Sequence, residues 1–149
     1  MYVRELQVRY RLRRIRHEPL STEPLLTPRD AVRLFTRLLA HEPVEVCGLL
    51  CLSTRNHLLA YHELSRGQLD STPVHPREVF KAAILANAAG VILGHNHPSG
   101  DVRPSPDDLA LTRRLVSAGE ILGIELVDHL IVSAEGTYCS LKETGRLNP

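Results

Sequence analysis

Two histidines and an aspartate lie within one stretch, GHNHPSGDVRPSPDD, which runs from Gly94 to Asp108. His95 and His97 are two residues apart directly after an apolar run, so an extended backbone points both imidazoles to the same side. Asp108 follows in the first turn of a predicted helix, which a short loop can bring back over the same strand end. Two imidazoles, a carboxylate and a water form the open four-coordinate arrangement of catalytic zinc. One interpretation of this stretch is therefore a zinc site.

The same stretch also has a purely structural interpretation. Ser105 and Asp108 have the spacing of a capping box, in which each side chain binds the backbone N–H of the other residue at the start of a helix. The histidines would then be ordinary polar residues at a strand end. The residues alone leave both interpretations open, although strand ends in α/β sheets are where ligand sites usually form. The letters HNH do not indicate an HNH nuclease, because in that family they mark separated positions of a ββα metal finger.

Hydrophobic periodicity predicts the elements that would position these side chains. Helices are predicted where a capping residue and proline precede apolar residues at helical spacing. Strands are predicted for alternating or continuous apolar runs, of which GVILG should be buried on both faces. The predicted helices span 27–40, 75–90 and 105–122, and the predicted strands span 6–12, 44–52, 57–64, 90–94, 124–133 and 137–141. The order β-α-β-β-α-β-α-β-β predicts a single α/β domain with a mixed β-sheet flanked by helices.

Length and composition set further limits. A chain of 149 residues, 43% hydrophobic and with a net charge of +1, fits one globular domain and gives no whole-molecule field that favours nucleic acid. We expect a cytoplasmic protein, since there is no apolar run long enough for a membrane span and no apolar signal core near the N-terminus. Cys47, Cys51 and Cys139 lack CxxC spacing and are expected to be reduced packing residues.

The motif resembles a known family. HNHPSGDVRPSPDD matches the JAMM (MPN+, or JAB) zinc metalloprotease signature, His-x-His-Pro followed by Ser-x-x-Asp. The stretches VHPREVFKAAILANAAGVILGHNHPSGD and AGEILGIELVDHLIVS are similar to the RadC branch of that family. The resemblance covers about residues 27–145, after a basic N-terminal strand and loop at 1–26. It implies a JAMM/MPN-like fold with the α/β/α layering of cytidine deaminases.

The resemblance also implies roles for individual residues. His95, His97 and Asp108 would bind one zinc ion per chain, and Ser105 would help to hold the oxyanion of a tetrahedral intermediate. A glutamate on an earlier strand would be the general acid/base, and its place before VCGLLCL makes this Glu45. Sequence pattern alone does not choose Glu45 over the chain's other glutamates, among them Glu42, Glu63 and Glu78. The implied function is hydrolysis of a peptide or isopeptide bond in a protein or peptide substrate, through a zinc-bound water.

The alternative function is a zinc-containing RadC-like module that binds DNA or a protein partner without proteolysis. The feature that would support nucleic-acid binding is the basic strand segment with its flanking arginines: Arg9 and Arg11 on the predicted first strand and Arg13 directly after it. Longer RadC proteins carry an N-terminal helix-hairpin-helix region, whereas only this basic segment precedes Thr27, so we expect little support for a role in DNA repair. Deaminase chemistry is not indicated, because it needs a His-x-Glu and a Pro-Cys-x-x-Cys, and a two-metal nuclease would need more clustered acids.

A second polar pair, Asp128 and His129, interrupts the apolar strand ELVDHLIV. Adjacent residues on a strand point to opposite faces, so only one of the two can face the candidate site. Asp128 is a candidate to hold a ligand imidazole from behind. The alternative is a pair on the surface of the sheet.

Overall fold

A five-stranded mixed sheet forms the centre of the protein in the computed structural model, which describes residues 3–12, 23–67 and 74–147. The strands lie in the order β2-β1-β3-β4-β5. The pairing of β3 with β4 is parallel, and the pairings of β1 with β2, β1 with β3 and β4 with β5 are antiparallel. The strands are β1 (Val46–Leu52), β2 (Leu58–Arg66), β3 (Gly90–Asn96), β4 (Glu125–Val132) and β5 (Tyr138–Ser140).

In the described part of the chain, three helices cover the two faces of this sheet: α1 (Pro28–Leu39), α2 (Pro76–Leu85) and α3 (Pro106–Leu122). Residues of α1, including Phe35 and Leu39, pack on one face, while α2 and α3 pack on the other. Each helix begins with proline in its first turn, where the missing N–H leaves no hydrogen bond unmade. The predicted α/β class and the α/β/α layering are confirmed.

The two central strands are buried along their whole length. Every residue of β1 and of β3 is buried, as expected for strands with helices on both faces. Cys47 and Cys51 belong to this core, and both are free thiols. Burial raises the pKa of the Cys51 thiol to about 11, so it is a neutral packing group, as predicted.

The prediction of a first strand at residues 6–12 is wrong. Residues 3–12 have no regular secondary structure and are exposed throughout, with Leu6 79% and Leu12 93% exposed. Alternation of apolar and basic residues favours a strand only where a neighbour supplies backbone hydrogen bonds and covers the apolar side. None of the described strands pairs with this segment. Arg13 and the following residues to 22, which include part of the predicted loop, lie outside the described residues.

The other predicted elements are present, with shifted ends. β3 extends two residues beyond the predicted GVILG, so His95 lies inside the strand and His97 directly after it. α2 ends at Leu85 because the chain turns at Asn87, whose φ is +53°. Among the described residues, the helices are too short or too polar to cross a membrane.

Candidate metal centre

The end of β3 and the start of α3 bring three predicted ligands together. Nε2 of His95 and Nε2 of His97 lie 3.0 Å apart. The carboxylate of Asp108 lies against both rings, with Oδ1 3.4 Å from Nε2 of His95 and Oδ2 3.9 Å from Nε2 of His97. Donor atoms that share a tetrahedral zinc ion, each about 2.0–2.2 Å from it, lie about 3.4 Å apart. The three separations therefore suit one small cation.

Asp108 is held in place by the predicted capping box. The N–H of Ser105 donates to Oδ2 of Asp108 at 2.7 Å, and the N–H of Asp108 donates to Oγ of Ser105 at 3.1 Å. The hydrogen bond from the Ser105 N–H favours the ionised form of the Asp108 carboxyl. The structural and the metal-binding interpretations of this stretch therefore coexist in the same residues.

His97 is oriented by the loop that follows it. Its Nδ1 lies 2.5 Å from the carbonyl oxygen of Asp101, and a carbonyl only accepts, so Nδ1 carries the proton. Arg103 fixes this loop through its backbone N–H and its guanidinium, both of which donate to the carboxylate of Asp101. These hydrogen bonds lower the pKa of Asp101 to about 2, so the pair is charged at neutral pH. In a neutral His97 the Nε2 lone pair points at the neighbouring histidine.

His95 is oriented by a buried chain of three polar groups. Thr112 Oγ1 donates to the carbonyl of Asp108 at 2.7 Å, so its oxygen accepts from Nδ1 of His129, also at 2.7 Å. Burial in the core lowers the pKa of His129, so the ring is neutral and its Nε2 is an acceptor. Nδ1 of His95 lies 3.0 Å from that acceptor and donates to it. A neutral His95 therefore also presents an Nε2 lone pair to the centre of the site.

When both rings are neutral, the hydrogen bonds at the two Nδ1 atoms leave both Nε2 atoms as acceptors. Two such lone pairs 3.0 Å apart repel each other unless a proton or a metal cation lies between them. The adjacent carboxylate of Asp108 adds negative charge and a third donor at suitable distance. The residues present fit a divalent metal ion, and the donor set of two imidazoles and one carboxylate is that of a catalytic zinc site.

Glu45 lies at the open side of this cluster, directly before β1. Its carboxylate and the two histidine nitrogens lie within 4.8 Å of one another, and its side chain is exposed. The glutamates that sequence could not distinguish from it have other partners: Glu42 and Glu63 both bind Arg66, and Glu78 binds Lys81. Its position in the fold therefore makes Glu45 a better candidate for the general acid/base than Glu42, Glu63 or Glu78.

The polar pair on β4 differs from its prediction. His129, not Asp128, contacts a ligand imidazole, and the pair is not on the surface, since both residues are buried. Asp128 accepts hydrogen bonds from Ser140 Oγ at 2.6 Å and from the Lys142 N–H at 3.0 Å, which anchors the C-terminal turn. Only one residue of the pair, His129, contacts the histidine ligands, in line with the prediction that only one can face the site, and a register shift in the pairing of β3 with β4 precedes the pair.

Sequence reasoning missed two residues of this region, Thr112 and Asn96. Thr112 is a buried hydroxyl within α3, and only its place beside His129 gives it a role in orienting His95. Asn96 is the buried middle residue of the HNH tripeptide and binds backbone groups near Glu45. The signal for both is a polar residue at a position that the hydrophobic pattern assigns to the interior.

Comparison with known proteins identifies similar chains. A family model described as a RadC-like JAB domain matches residues 25–146. A UPF0758 protein of Shouchella clausii is 46% identical over 134 residues, which cover 89% of this chain and 58% of that protein. A UPF0758 protein of Thermotoga maritima is 50% identical over 103 residues, which cover 69% of this chain and 46% of that protein. The chain thus spans about half to three fifths of the length of these relatives.

Proposed function

The chain belongs to the RadC-like JAB domain family, and on that premise we propose that it is a zinc-dependent hydrolase of amide bonds in proteins or peptides. The observation that carries the proposal is the pair of Nε2 atoms, on His95 and His97, which lie 3.0 Å apart beside the Asp108 carboxylate. This arrangement suits a divalent metal ion.

His95, His97 and Asp108 hold the zinc ion in this proposal. An ion held there would supply Lewis acidity toward a carbonyl oxygen and would make water available as a nucleophile near neutral pH. His129 and Thr112 keep the His95 lone pair directed at the site, and the carbonyl of Asp101 does the same for His97.

Glu45 moves the proton. It takes a proton from the attacking water as the new C–O bond forms, and it returns a proton to the amine nitrogen as the C–N bond breaks. Water and an amide thereby give a carboxylic acid and an amine. The exposure of Glu45 beside the buried His95 and the partly buried His97 supports this role, because a substrate can reach it from solvent. General acid/base catalysis of this kind contributes roughly 10²- to 10⁴-fold.

Ser105 donates a hydrogen bond to the oxyanion. Its oxygen already accepts from the Asp108 N–H, and that bond leaves the hydroxyl proton for the substrate. The serine therefore serves the helix cap and the transition state at once, and its position in the cap fixes it relative to Asp108.

Zinc content tests the foundation of this proposal. We expect one zinc ion per chain in the purified wild-type protein and none in the His97→Ala variant, measured by native mass spectrometry and elemental analysis. His62→Ala, which changes a histidine on β2, is the control and should keep the metal. A wild-type protein that binds no zinc near neutral pH would refute the proposal.

Cleavage is then measured with mixtures of internally quenched peptides, one set with ordinary peptide bonds and one with a lysine-linked isopeptide bond. Zinc-dependent cleavage of either set supports hydrolysis. A protein that holds zinc but cleaves neither set would instead favour the alternative of a binding module. That alternative has less support, because the arginines of residues 3–12 lie on an irregular segment and not on one face of a strand.

A further inference from the structure

Asn96, the residue between the two histidines, binds the backbone on both sides of Glu45. Its Oδ1 accepts from the N–H of Val46 at 2.7 Å, and its Nδ2 donates to the carbonyl of Val44 at 3.0 Å and to that of Glu42 at 3.3 Å. The residue is fully buried. The chemistry of the partners fixes the orientation of the amide, since an N–H needs the oxygen and the two carbonyls need the nitrogen.

Strand alternation places this side chain opposite the histidine rings. In an extended backbone, His95 and His97 point to one face of the sheet and Asn96 points to the other. The ladder between β1 and β3 ends at the pair of Cys47 with His95. Beyond that pair, the side chain of Asn96 satisfies the first N–H of β1, so a side chain replaces a backbone hydrogen bond at the edge of the site.

Other contacts also hold the segment that Asn96 binds: the N–H of Glu42 donates to the carbonyl of Leu39 at 3.0 Å, and Val46 pairs with Arg66 in the ladder between β1 and β2. Residues 42–45 form no helix or strand. The carbonyl of Glu45 accepts from the N–H of Gly67 at 2.8 Å, and Glu42 forms an ion pair with Arg66 whose two side chains are partly exposed. Exposed ion pairs of this kind contribute little to stability. The three hydrogen bonds of the buried Asn96 side chain add a constraint on this backbone at both sides of Glu45.

From these contacts we infer that Asn96 is a positioning residue: it fixes the backbone of residues 42–46 and thereby holds the Glu45 carboxylate beside the histidine pair. The middle residue of the tripeptide thus connects the two halves of the site, the metal ligands on β3 and the acid/base before β1. The inference rests on the proposed role of Glu45. It predicts that loss of the Asn96 amide leaves the ligands in place and displaces Glu45.

Amide exchange tests the constraint without any substrate. In the zinc-loaded Asn96→Ala variant, we expect the N–H of Val46 to exchange at least 10-fold faster than in the wild type, measured by NMR, while zinc content stays at the wild-type value. Ser133→Ala is the control, because it removes a different side-chain hydrogen bond of a buried residue, the one to Thr137, at the same end of the sheet. It should leave the exchange of Val46 unchanged. Should Asn96→Ala fail to fold, Asn96→Ser is measured instead, since its hydroxyl is too short to reach these backbone groups.

Kinetics test whether the constraint acts through Glu45. With the mixture of quenched peptides, we expect Asn96→Ala to lower kcat about 10- to 100-fold with little change in KM, since a displacement of about 1 Å can cost that much. In a Glu45→Gln background the same change should cost almost nothing. An equal loss of kcat in both backgrounds, or unchanged exchange of Val46, would overturn the inference. If the wild type binds zinc but cleaves no peptide, the proposed function fails, and the exchange of Val46 still decides whether Asn96 holds this segment.

Discussion

Nε2 of His129 on β4 lies 3.0 Å from Nδ1 of His95 on β3, so one buried histidine orients another. Metal-binding histidines usually donate their second N–H to a carboxylate, a carbonyl or water. Here the acceptor is a neutral imidazole whose own tautomer is set by Thr112. The orientation of the ligand therefore depends on a residue 34 positions away in the sequence.

Removal of the His129 acceptor should weaken zinc binding. We expect His129→Leu to lower zinc affinity about 10- to 100-fold, because Nδ1–H of His95 loses its partner and the ring is no longer fixed. His129→Gln, whose side-chain oxygen can accept, should lose less. Competition with a chromogenic chelator measures both affinities. Wild-type affinity in the leucine variant would contradict the orienting role.

Glu45→Gln separates metal binding from catalysis. The variant should keep one zinc ion per chain, since Glu45 is not among the proposed ligands, and should lose roughly 10²- to 10⁴-fold in single-turnover cleavage, since an amide cannot take up the proton. Glu63→Gln is the control, because that carboxylate binds Arg66. It should retain activity. Wild-type rates in Glu45→Gln would show that another group is the acid/base.

Because β3 packs closely on α1, adding a single methyl group to a glycine of β3 should lower the stability of the fold. A Cβ at Gly94 would lie 2.6 Å from the ring of Phe35, whereas a Cβ at Gly90 on the same strand would lie 3.0 Å from one methyl group of Val127. Gly94→Ala should lower the free energy of unfolding by about 1–3 kcal/mol, and Gly90→Ala by less. Chemical denaturation measures both. Relief of the loss by Phe35→Leu would identify the aromatic ring as the cause.

The buried carboxyl of Asp128 should make the free energy of unfolding depend on pH. Burial raises the pKa of Asp128 above its ordinary value of 3.8, despite hydrogen bonds from Ser140 and Lys142. As the pH rises above 3.8, the unfolded carboxyl ionises before the folded one, so the wild type should lose stability relative to Asp128→Asn until the folded group has ionised as well. Denaturation of both proteins from pH 3 upward measures this difference. A constant difference over that range would contradict the raised pKa.

Much of this protein is determined by local sequence. The caps of the helices, the burial of β1 and β3 and the spacing of His95 and His97 follow from residues that are neighbours along the chain. The same holds for Ser105 and Asp108, whose mutual hydrogen bonds span only three residues. For these features, sequence spacing and backbone geometry together leave few alternatives.

The tertiary structure decided the rest, because it depends on contacts between distant residues. Strand pairing places Glu45, and not Glu42 or Glu63, beside the two histidines, and it brings His129 on β4 within hydrogen-bond distance of His95 on β3. The first predicted strand is absent for the same reason, since a strand needs a partner that its own residues do not specify. Asn96 and Val46 are 50 positions apart, and their hydrogen bond exists because β1 and β3 lie side by side.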